Sequence, residues 1–347
     1  MKVLFVPSSG TKGSGETLNA FQIYQFLKFH FENLESIIFL HEASNFIEES
    51  PIPVIKVKDT PTRCNTEILP FFQKLKPDIT FFIGAGSKQQ IRESKQNGAI
   101  NIFISFSDNL RSRGLKFGRI QHIDLHLVDQ YEFMLNKLSN FEKIKCFLWK
   151  KATPKYWGPI FNKPSKEKIT ATLVKYNLQI NKFILVSTGS GAESDSKGLN
   201  FSESIYQALK NQNFSDQVIQ SFGKAYPHII PESSTNYSCI NYLQPDEFIC
   251  LMISAKIVVT NGGGSLIQAI SLQKKSLSCP MVDDQFPRVE ICGKLGLTTE
   301  YSPFNILEKI NALKDENKEH SSLIKIPNVD ALKLLGDFIN KNIKNHN

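Results

Sequence analysis

The sequence predicts two α/β domains, each a doubly wound parallel sheet with helices on both faces. Three observations predict it. Short apolar runs alternate with helix-periodic stretches along the chain; the alternation pauses once, in a Pro-, Gly- and Lys-rich stretch, and restarts; and Gly-rich turns recur where a strand gives way to a helix. At 347 residues the chain is long for one such domain and comfortable for two of about 150–180 residues each.

Lys2–Pro7 is a compact apolar run, read as a buried first strand of a cytosolic protein: it is too short for a signal peptide and flows into a Gly-rich turn. Glu16–His30 follows with helical spacing, Leu18, Phe21, Ile23, Phe26, Leu27 and Phe31 sharing a broad face. Ser36–Leu40, Pro53–Val57, Ile79–Ile83, Ile100–Ser105 and Leu125–Val128 read as further buried strands, with helices expected near 65–75, 87–97 and 130–138. Lys150–Pro164 reads as an interdomain connection. Beyond it, strands are expected at Asn181–Ser187, Val218–Phe222, Ile257–Thr260 and Ser276–Cys279. Helices are expected at Ser202–Leu209, Pro245–Ala255, Ser265–Leu272, Gln285–Leu295, Phe304–Leu313 and Val329–Ile343. The expected division is a first domain over 1–158, a second over 159–325, and a closing helix in 326–347 that packs back towards the first domain. Ligands of such sheets bind outside the carboxyl ends of the strands, here in a cleft between the domains.

Composition is that of an ordinary globular chain, 41% hydrophobic and 21% charged, which excludes disorder as the default. No apolar run approaches the roughly 20 residues a bilayer span needs. The six cysteines (Cys64, Cys146, Cys239, Cys250, Cys279 and Cys292) form no CxxC and no zinc-like spacing with histidine, so a reduced, cytoplasmic setting and no metal are expected. The net charge of +8 is uneven. Residues 1–160 carry 21 Lys+Arg against 15 Asp+Glu, and residues 161–347 carry 20 against 18. A basic first half fits an anionic substrate or membrane surface, or simply a Lys-rich exterior.

Three Gly-rich turns stand at strand-to-helix passages. Ser9-Gly10-Thr11-Lys12-Gly13-Ser14-Gly15-Glu16 is either a loop where a ligand approaches a helix N-terminus or a plain turn with a favourable first-turn acid. It fits neither G-x-G-x-x-G nor the P-loop, and no acid about 20 residues on completes a dinucleotide fingerprint, so NAD binding is not expected. Ser187-Thr188-Gly189-Ser190-Gly191-Ala192 offers amides and hydroxyls to a diphosphate, or is a tight turn. The third, Thr260-Asn261-Gly262-Gly263-Gly264-Ser265-Leu266, is the strongest. Three successive glycines cost conformational entropy, which a phosphate bound on the helix-start amides would explain. Cys279-Pro280-Met281-Val282-Asp283-Asp284-Gln285 follows at the next strand-to-helix passage, where Asp284 and Gln285 offer groups to hydroxyls.

Asn261-Gly-Gly-Gly-Ser265-x-x-Gln268-Ala269, followed by Pro280-x-x-x-Asp284-Gln285, resembles the donor-site signature of GT-B glycosyltransferases, in particular the group containing the UDP-N-acetylglucosamine transferase of peptidoglycan synthesis. The first loop and the Gly189–Ala192 turn resemble that group's two other glycine loops, and Leu243, after Tyr242, falls where the group contacts the base through backbone. The resemblance covers the whole chain in layout and is specific over 257–295. It implies a GT-B fold with an acceptor-side first domain and a donor-side second domain. It implies no cofactor or metal, a nucleotide-sugar donor, and a glycan or lipid-linked acceptor. Donor contacts would come from Gly189, Ser190, Gly191, Leu243, Asn261, Gly262, Gly263, Gly264, Ser265, Gln268, Asp284 and Gln285. Three departures stand out: Gln268 replaces a ribose-binding Glu, Glu16 replaces a His, and Gln273-Lys274-Lys275 replaces Gly-x-Pro.

Sugar transfer requires stabilisation of the leaving diphosphate and a base for the acceptor hydroxyl. Amides and helix N-termini meet the first need without a metal. Glu16 is the first candidate base and Asp108 the second; the resemblance implies an inverting reaction with a single base. Gly13, Ser14 and Gly15, with Arg111, Arg113 and Arg119 from the densest basic stretch, are expected on the acceptor side, meeting an anionic acceptor or the headgroups of an anionic membrane. His122 and His126 lie in a strand-like context, which argues against a helical two-His metal site. Competing readings are a nucleotide-sugar hydrolase or epimerase on the same fold, and a non-catalytic binding protein. Nucleic-acid binding is disfavoured by poor aromatic interleaving and the lack of a recognition motif.

Overall fold

A computed structural model describes residues 1–10, 15–194, 198–212, 214–315 and 323–343. The chain divides into two compact units, Met1–Asn162 with Val329–Asn347, and Lys163–Asn328.

The first unit runs β1 (Lys2–Pro7), α1 (Gly15–His30), β2 (Glu35–His41), β3 (Val54–Val57), α2 (Asn65–Leu75), β4 (Ile79–Ile83), α3 (Lys88–Gln96), β5 (Ile100–Ser105), α4 (Asp108–Gly114), β6 (Leu125–Val128), α5 (Asn140–Leu148) and β7 (Pro154–Tyr156). Its strands are all parallel in the order β3-β2-β1-β4-β5-β6-β7. Such a sheet is covered on both faces, which is why β4 and β5 are buried at every position. Leu4, Val6, Phe39, Phe82 and Phe103 from the strands join Ile68, Phe72 and Ile91 from α2 and α3 in one core. Each such side chain contributes about 1.5–3 kcal/mol on burial.

The second unit runs α6 (Lys166–Lys175), β8 (Phe183–Ser187), α7 (Phe201–Leu209), β9 (Gln217–Ser221), β10 (Tyr237–Ile240), α8 (Pro245–Ser254), β11 (Ile257–Asn261), α9 (Gly264–Ser271), β12 (Ser276–Cys279), α10 (Phe286–Lys294), β13 (Thr299–Glu300) and α11 (Ile306–Asp315). Its parallel strand order is β10-β9-β8-β11-β12-β13. The twofold period of a strand divides β8 between two cores: Ile184 and Val186 pack with α7 and α11, while Phe183 and Leu185 pack with α6, α8 and α9. The closing helix α12 (Ala331–Ile343) belongs to the first unit and packs on α1, so closely at Gly336 that a Cβ there would stand 2.9 Å from Phe26 Cζ.

The expected fold class, two doubly wound parallel sheets, is the one found. Four local differences have physical causes. No helix spans 130–138; Glu132–Met134 is a single 3-10 turn, and α5 starts later because Ser139 and Glu142 close a reciprocal capping box. Pro154–Tyr156, within the stretch read as a connection, is the edge strand of the first sheet, a position that tolerates proline. The basic stretch from Arg111 begins as helix, capped by Ser107. Another helix unread in the sequence, α6, is capped by Ser165. Burial raises the Cys279 thiol to about 11 and the Cys292 thiol to about 12, so both are neutral at pH 7.

Candidate functional site

In each sheet the strand order reverses direction between its first and fourth strands, the position where doubly wound folds bind ligands. In the second unit these strands are β8 and β11, and both run into glycine turns. Asn261, at the end of β11, joins the turns: its Nδ2 donates to the Thr188 carbonyl at 3.3 Å, and its Oδ1 accepts from the Gly263 amide at 3.0 Å. Gly189 has φ +93°, and a Cβ there would stand 2.4 Å from Asn261 Nδ2, so glycine is required. Gly262 is equally constrained, because a Cβ would stand 2.7 Å from Val289 Cγ2 and 2.8 Å from Gln285 Cβ.

Gly264 differs from both. It is exposed, and a Cβ built on it meets nothing within 4 Å. Packing gives no reason for glycine here, and the space above it is open. Gly263 caps α9 without a side-chain bond. Among the described residues the amides of Gly264 and Ser265 have no acceptor, so two N–H groups at the positive end of the helix remain available. Gln268 lies four residues on, on the same helix face as Gly264, and is half-buried.

The loop from β12 to α10 backs this turn. Gln285 is buried, and its Oε1 accepts from the Met281 amide at 2.9 Å. Arg288, also buried, donates to the Gly262 carbonyl at 2.5 Å and lies 3.6 Å from the exposed Asp284 carboxylate. A guanidinium is thus fixed behind the glycine turn. Gln285 thus braces the loop through Met281, and Asp284 lies at the surface beside Arg288.

Other expected donor contacts also make bonds or close contacts within the chain. Gly191 is buried with φ +88°; a Cβ would stand 2.3 Å from the Phe222 carbonyl oxygen, and its own carbonyl accepts from Asn200 at 2.7 Å. Gly223, unread in the sequence, is the counterpart, with Ser190 O only 2.3 Å from its Cβ position. The Ser190 hydroxyl donates to Glu193 at 2.9 Å, so an anion reaching it must displace that carboxylate. The Leu243 side chain is in the core, leaving only its backbone for a ligand.

The first unit's strand reversal lies between β1 and β4, and Glu16 sits there. The Ser9 hydroxyl donates to its Oε2 at 2.9 Å and the Ser8 hydroxyl to its Oε1 at 3.3 Å. Ser8 is itself fixed by its backbone N–H, which donates to the Ile83 carbonyl at 2.8 Å, and Ser9 Oγ accepts from the Thr17 amide at 3.2 Å. Gly84 has φ +81°, and a Cβ there would come within 2.3 Å of Ser8 Oγ and 3.0 Å of Glu16 Cγ. The half-buried carboxylate lies in the first turn of α1, which favours negative charge. Gly15 is exposed at the helix start, while Gly13 and Ser14 lie outside the described residues.

Asp108 is committed elsewhere. It pairs with Arg111 at 2.8 Å and accepts from the Asn136 side chain at 2.7 Å and the Asn136 amide at 3.2 Å. Arg111, expected on the acceptor side, is only 2% exposed, and its guanidinium also donates to the Tyr156 hydroxyl at 3.1 Å. It is an internal strut that no external anion reaches, which corrects its expected role. Arg119 is partly so: its Nε donates to the Gly86 carbonyl at 2.9 Å, and burial with the neighbouring Arg113 charge lowers its pKa. Arg113 remains exposed. His126 is fully buried with its Nε2 3.0 Å from Ser105 Oγ, and burial next to Arg111 lowers its pKa to about 3. Among the described residues no cluster of three or more His, Cys, Asp or Glu could hold a metal, and no helix is long and apolar enough to cross a membrane.

No protein-family model and no curated protein matches the sequence. Solved structures do match it along nearly its whole length. The chain is similar to spinosyn forosaminyltransferase SpnP, at 13% identity and a TM-score of 0.62, covering 98% of this chain and 99% of that one. It is also similar to Arabidopsis thaliana UGT89C1 complexed with quercetin, at 12% identity and 0.61, covering 98% of each chain. A putative UDP-N-acetylglucosamine 2-epimerase from Listeria monocytogenes matches at 15% identity and 0.60, covering 99% and 96%. The fold is GT-B. In this GT-B chain, besides Gly223, the supporting groups Ser8, Gly84 and Arg288 were not singled out from the sequence. Ser8 and Gly84 lacked a signal because their roles depend on β1 lying beside β4. Arg288 had one, since Asp284 and Arg288 stand four apart at the start of a helix.

Proposed function

We propose that this protein transfers a sugar from a nucleoside-diphosphate sugar, UDP-linked, to a hydroxyl acceptor on a glycan or lipid carrier, with inversion and without a metal. The observation that carries the reading is Gly264: a glycine with open space over it and two unbonded amides at the start of α9, beside the strand reversal of the second sheet. The diphosphate would lie on the Gly264 and Ser265 amides, with Gln268 meeting the ribose. As the bond from the anomeric carbon to the diphosphate oxygen breaks, the amides, the helix dipole and the Arg288 charge behind Gly262 would stabilise the negative leaving group. The acceptor oxygen forms the new bond, and Glu16 takes its proton. Glu16 is preferred to Asp108, whose oxygens are held by Arg111 and Asn136.

A second reading, hydrolysis or epimerisation of the nucleotide sugar, is supported by the similarity to the putative 2-epimerase. Incubation with a panel of UDP-sugars, with and without glycan and lipid-linked acceptors, separates the readings. Acceptor-dependent release of UDP with a glycosylated product is expected. Stoichiometric free sugar, or an isomerised nucleotide sugar, without acceptor would overturn the transferase reading.

A further inference from the structure

Helix α5 is built the wrong way round for a water-facing helix. Phe141, Ile144, Phe147 and Leu148 are 59, 57, 74 and 62% exposed, while Lys145, which flanks Phe141 and Leu148 on the helix, is buried. The apolar residues recur at helical spacing and make one outward stripe. Lys145 donates to the Leu115 carbonyl at 2.8 Å, with its ammonium 4.7 Å from the Phe141 ring centre. Phe117, half exposed, extends the stripe by edge contacts with Phe141 and Trp149 at centroid distances of 5.9 and 5.7 Å. A stripe of large apolar side chains has a cost in water that a covering partner would relieve.

Charge identifies the cover. Residues 137–151 hold five lysines and a single acid, Glu142, whose carboxylate accepts from Ser112 and Ser139. Lys116, Lys137, Lys143 and Lys150 are exposed and pair with no carboxylate among the described residues. Aromatic and aliphatic anchors rimmed by unpaired lysines match an anionic bilayer surface, where the rings enter the headgroup boundary and the ammonium groups meet phosphates. A second copy of the chain fits poorly, because self-association through this face would bring two sets of lysines together.

We infer that α5 and Phe117 form a docking face for an anionic lipid surface. This holds independently of the sugar-transfer reading and relocates lipid contact from the Arg111–Arg119 stretch to α5. The test is co-sedimentation of the intact protein with vesicles of neutral phosphatidylcholine alone or with about a third phosphatidylglycerol. Binding is expected only to the anionic vesicles and should weaken steeply with salt. Ile144→Ser with Phe147→Ser should lower vesicle affinity at least tenfold, about the effect of withdrawing two apolar anchors. Lys143→Glu with Lys150→Glu should lower it about thirtyfold or more. In the unaltered protein, tryptophan emission, to which Trp149 beside the face contributes together with Trp157, should shift to the blue on binding, a readout that needs no variant to fold. No anionic-vesicle binding, or equal binding to neutral vesicles, would overturn the inference. So would a concentration-dependent dimer that the same substitutions dissolve, since the face would then be covered by a second copy.

Discussion

Asn261 Nδ2 donates to the Thr188 carbonyl across 3.3 Å, tying the turn that follows β11 to the turn that follows β8. The same side chain accepts from the Gly263 amide at 3.0 Å. One amide group therefore sets the spacing of both glycine turns at the strand reversal.

Asn261→Ala removes both bonds and leaves a buried carbonyl unpaired, at a cost of about 1–3 kcal/mol. Nucleotide affinity should fall with it. Asn261→Asp keeps an acceptor for Gly263, loses the donor to Thr188, and sets a carboxylate beside the diphosphate. It should bind nucleotide more weakly than it melts, as read by calorimetry beside a thermal melt.

Gly264 and Gly262 should respond in opposite ways. Gly264→Ala meets nothing in the chain and removes unfolded-state freedom, so it should stabilise by about 0.4–1 kcal/mol while weakening nucleotide binding. Gly262→Ala forces Val289 and Gln285 aside and should destabilise by about 1–3 kcal/mol. Equal nucleotide affinity for Gly264→Ala and the unaltered protein would mean the open space is not a ligand site.

Glu16→Gln should lower turnover by about 10²–10⁴ while costing roughly 1 kcal/mol of stability from the lost hydroxyl bond. Asp108→Asn should do the reverse. It leaves buried Arg111 without its counter-charge, at about 1–3 kcal/mol, less than for a fully buried pair because the Asp108 side chain keeps 34% exposure. Turnover per folded molecule should then stay near that of the unaltered protein. Turnover assays at matched folded fraction check both.

Acid stability should carry the mark of His126. Its folded pKa, about 3, is depressed below the ordinary 6.5 by burial and the Arg111 charge. The unfolded chain therefore binds a proton that the folded chain refuses between those values. The stability due to neutral His126 is full above pH 6.5 and declines as pH falls towards 3, by about 1.4 kcal/mol per unit in mid-window. Urea midpoints from pH 7 to pH 4.5 should show this slope, and His126→Gln should flatten it.

The sheets were legible because parallel strands buried on both faces read as unbroken apolar runs, as in Ile79–Ile83 and Ile100–Ser105. Helix α5 was missed although Ser139-x-x-Glu142 is a capping box, because its exposed face is apolar and blurs the helical period. Within the site, sequence marked the turns but not the work of each glycine. Gly189, Gly191 and Gly262 answer to neighbours distant in sequence, whereas among the glycines of the second unit's two turns only Gly264 answers to open space. Arg111 looked like surface charge because, although Asp108 stands three residues before it, nothing local announces that Tyr156 closes over it.

The central claim is that the Asn261–Ser265 turn binds a nucleoside diphosphate. Thermal melts with UDP, GDP, CMP and dTDP test it most directly. Saturating UDP, at about 100 times its Kd, should stabilise the protein by about 2.7 kcal/mol, seen as a Tm rise of several degrees that Gly264→Val abolishes. No rise with any of the four nucleotides, or an equal rise in Gly264→Val, would contradict it.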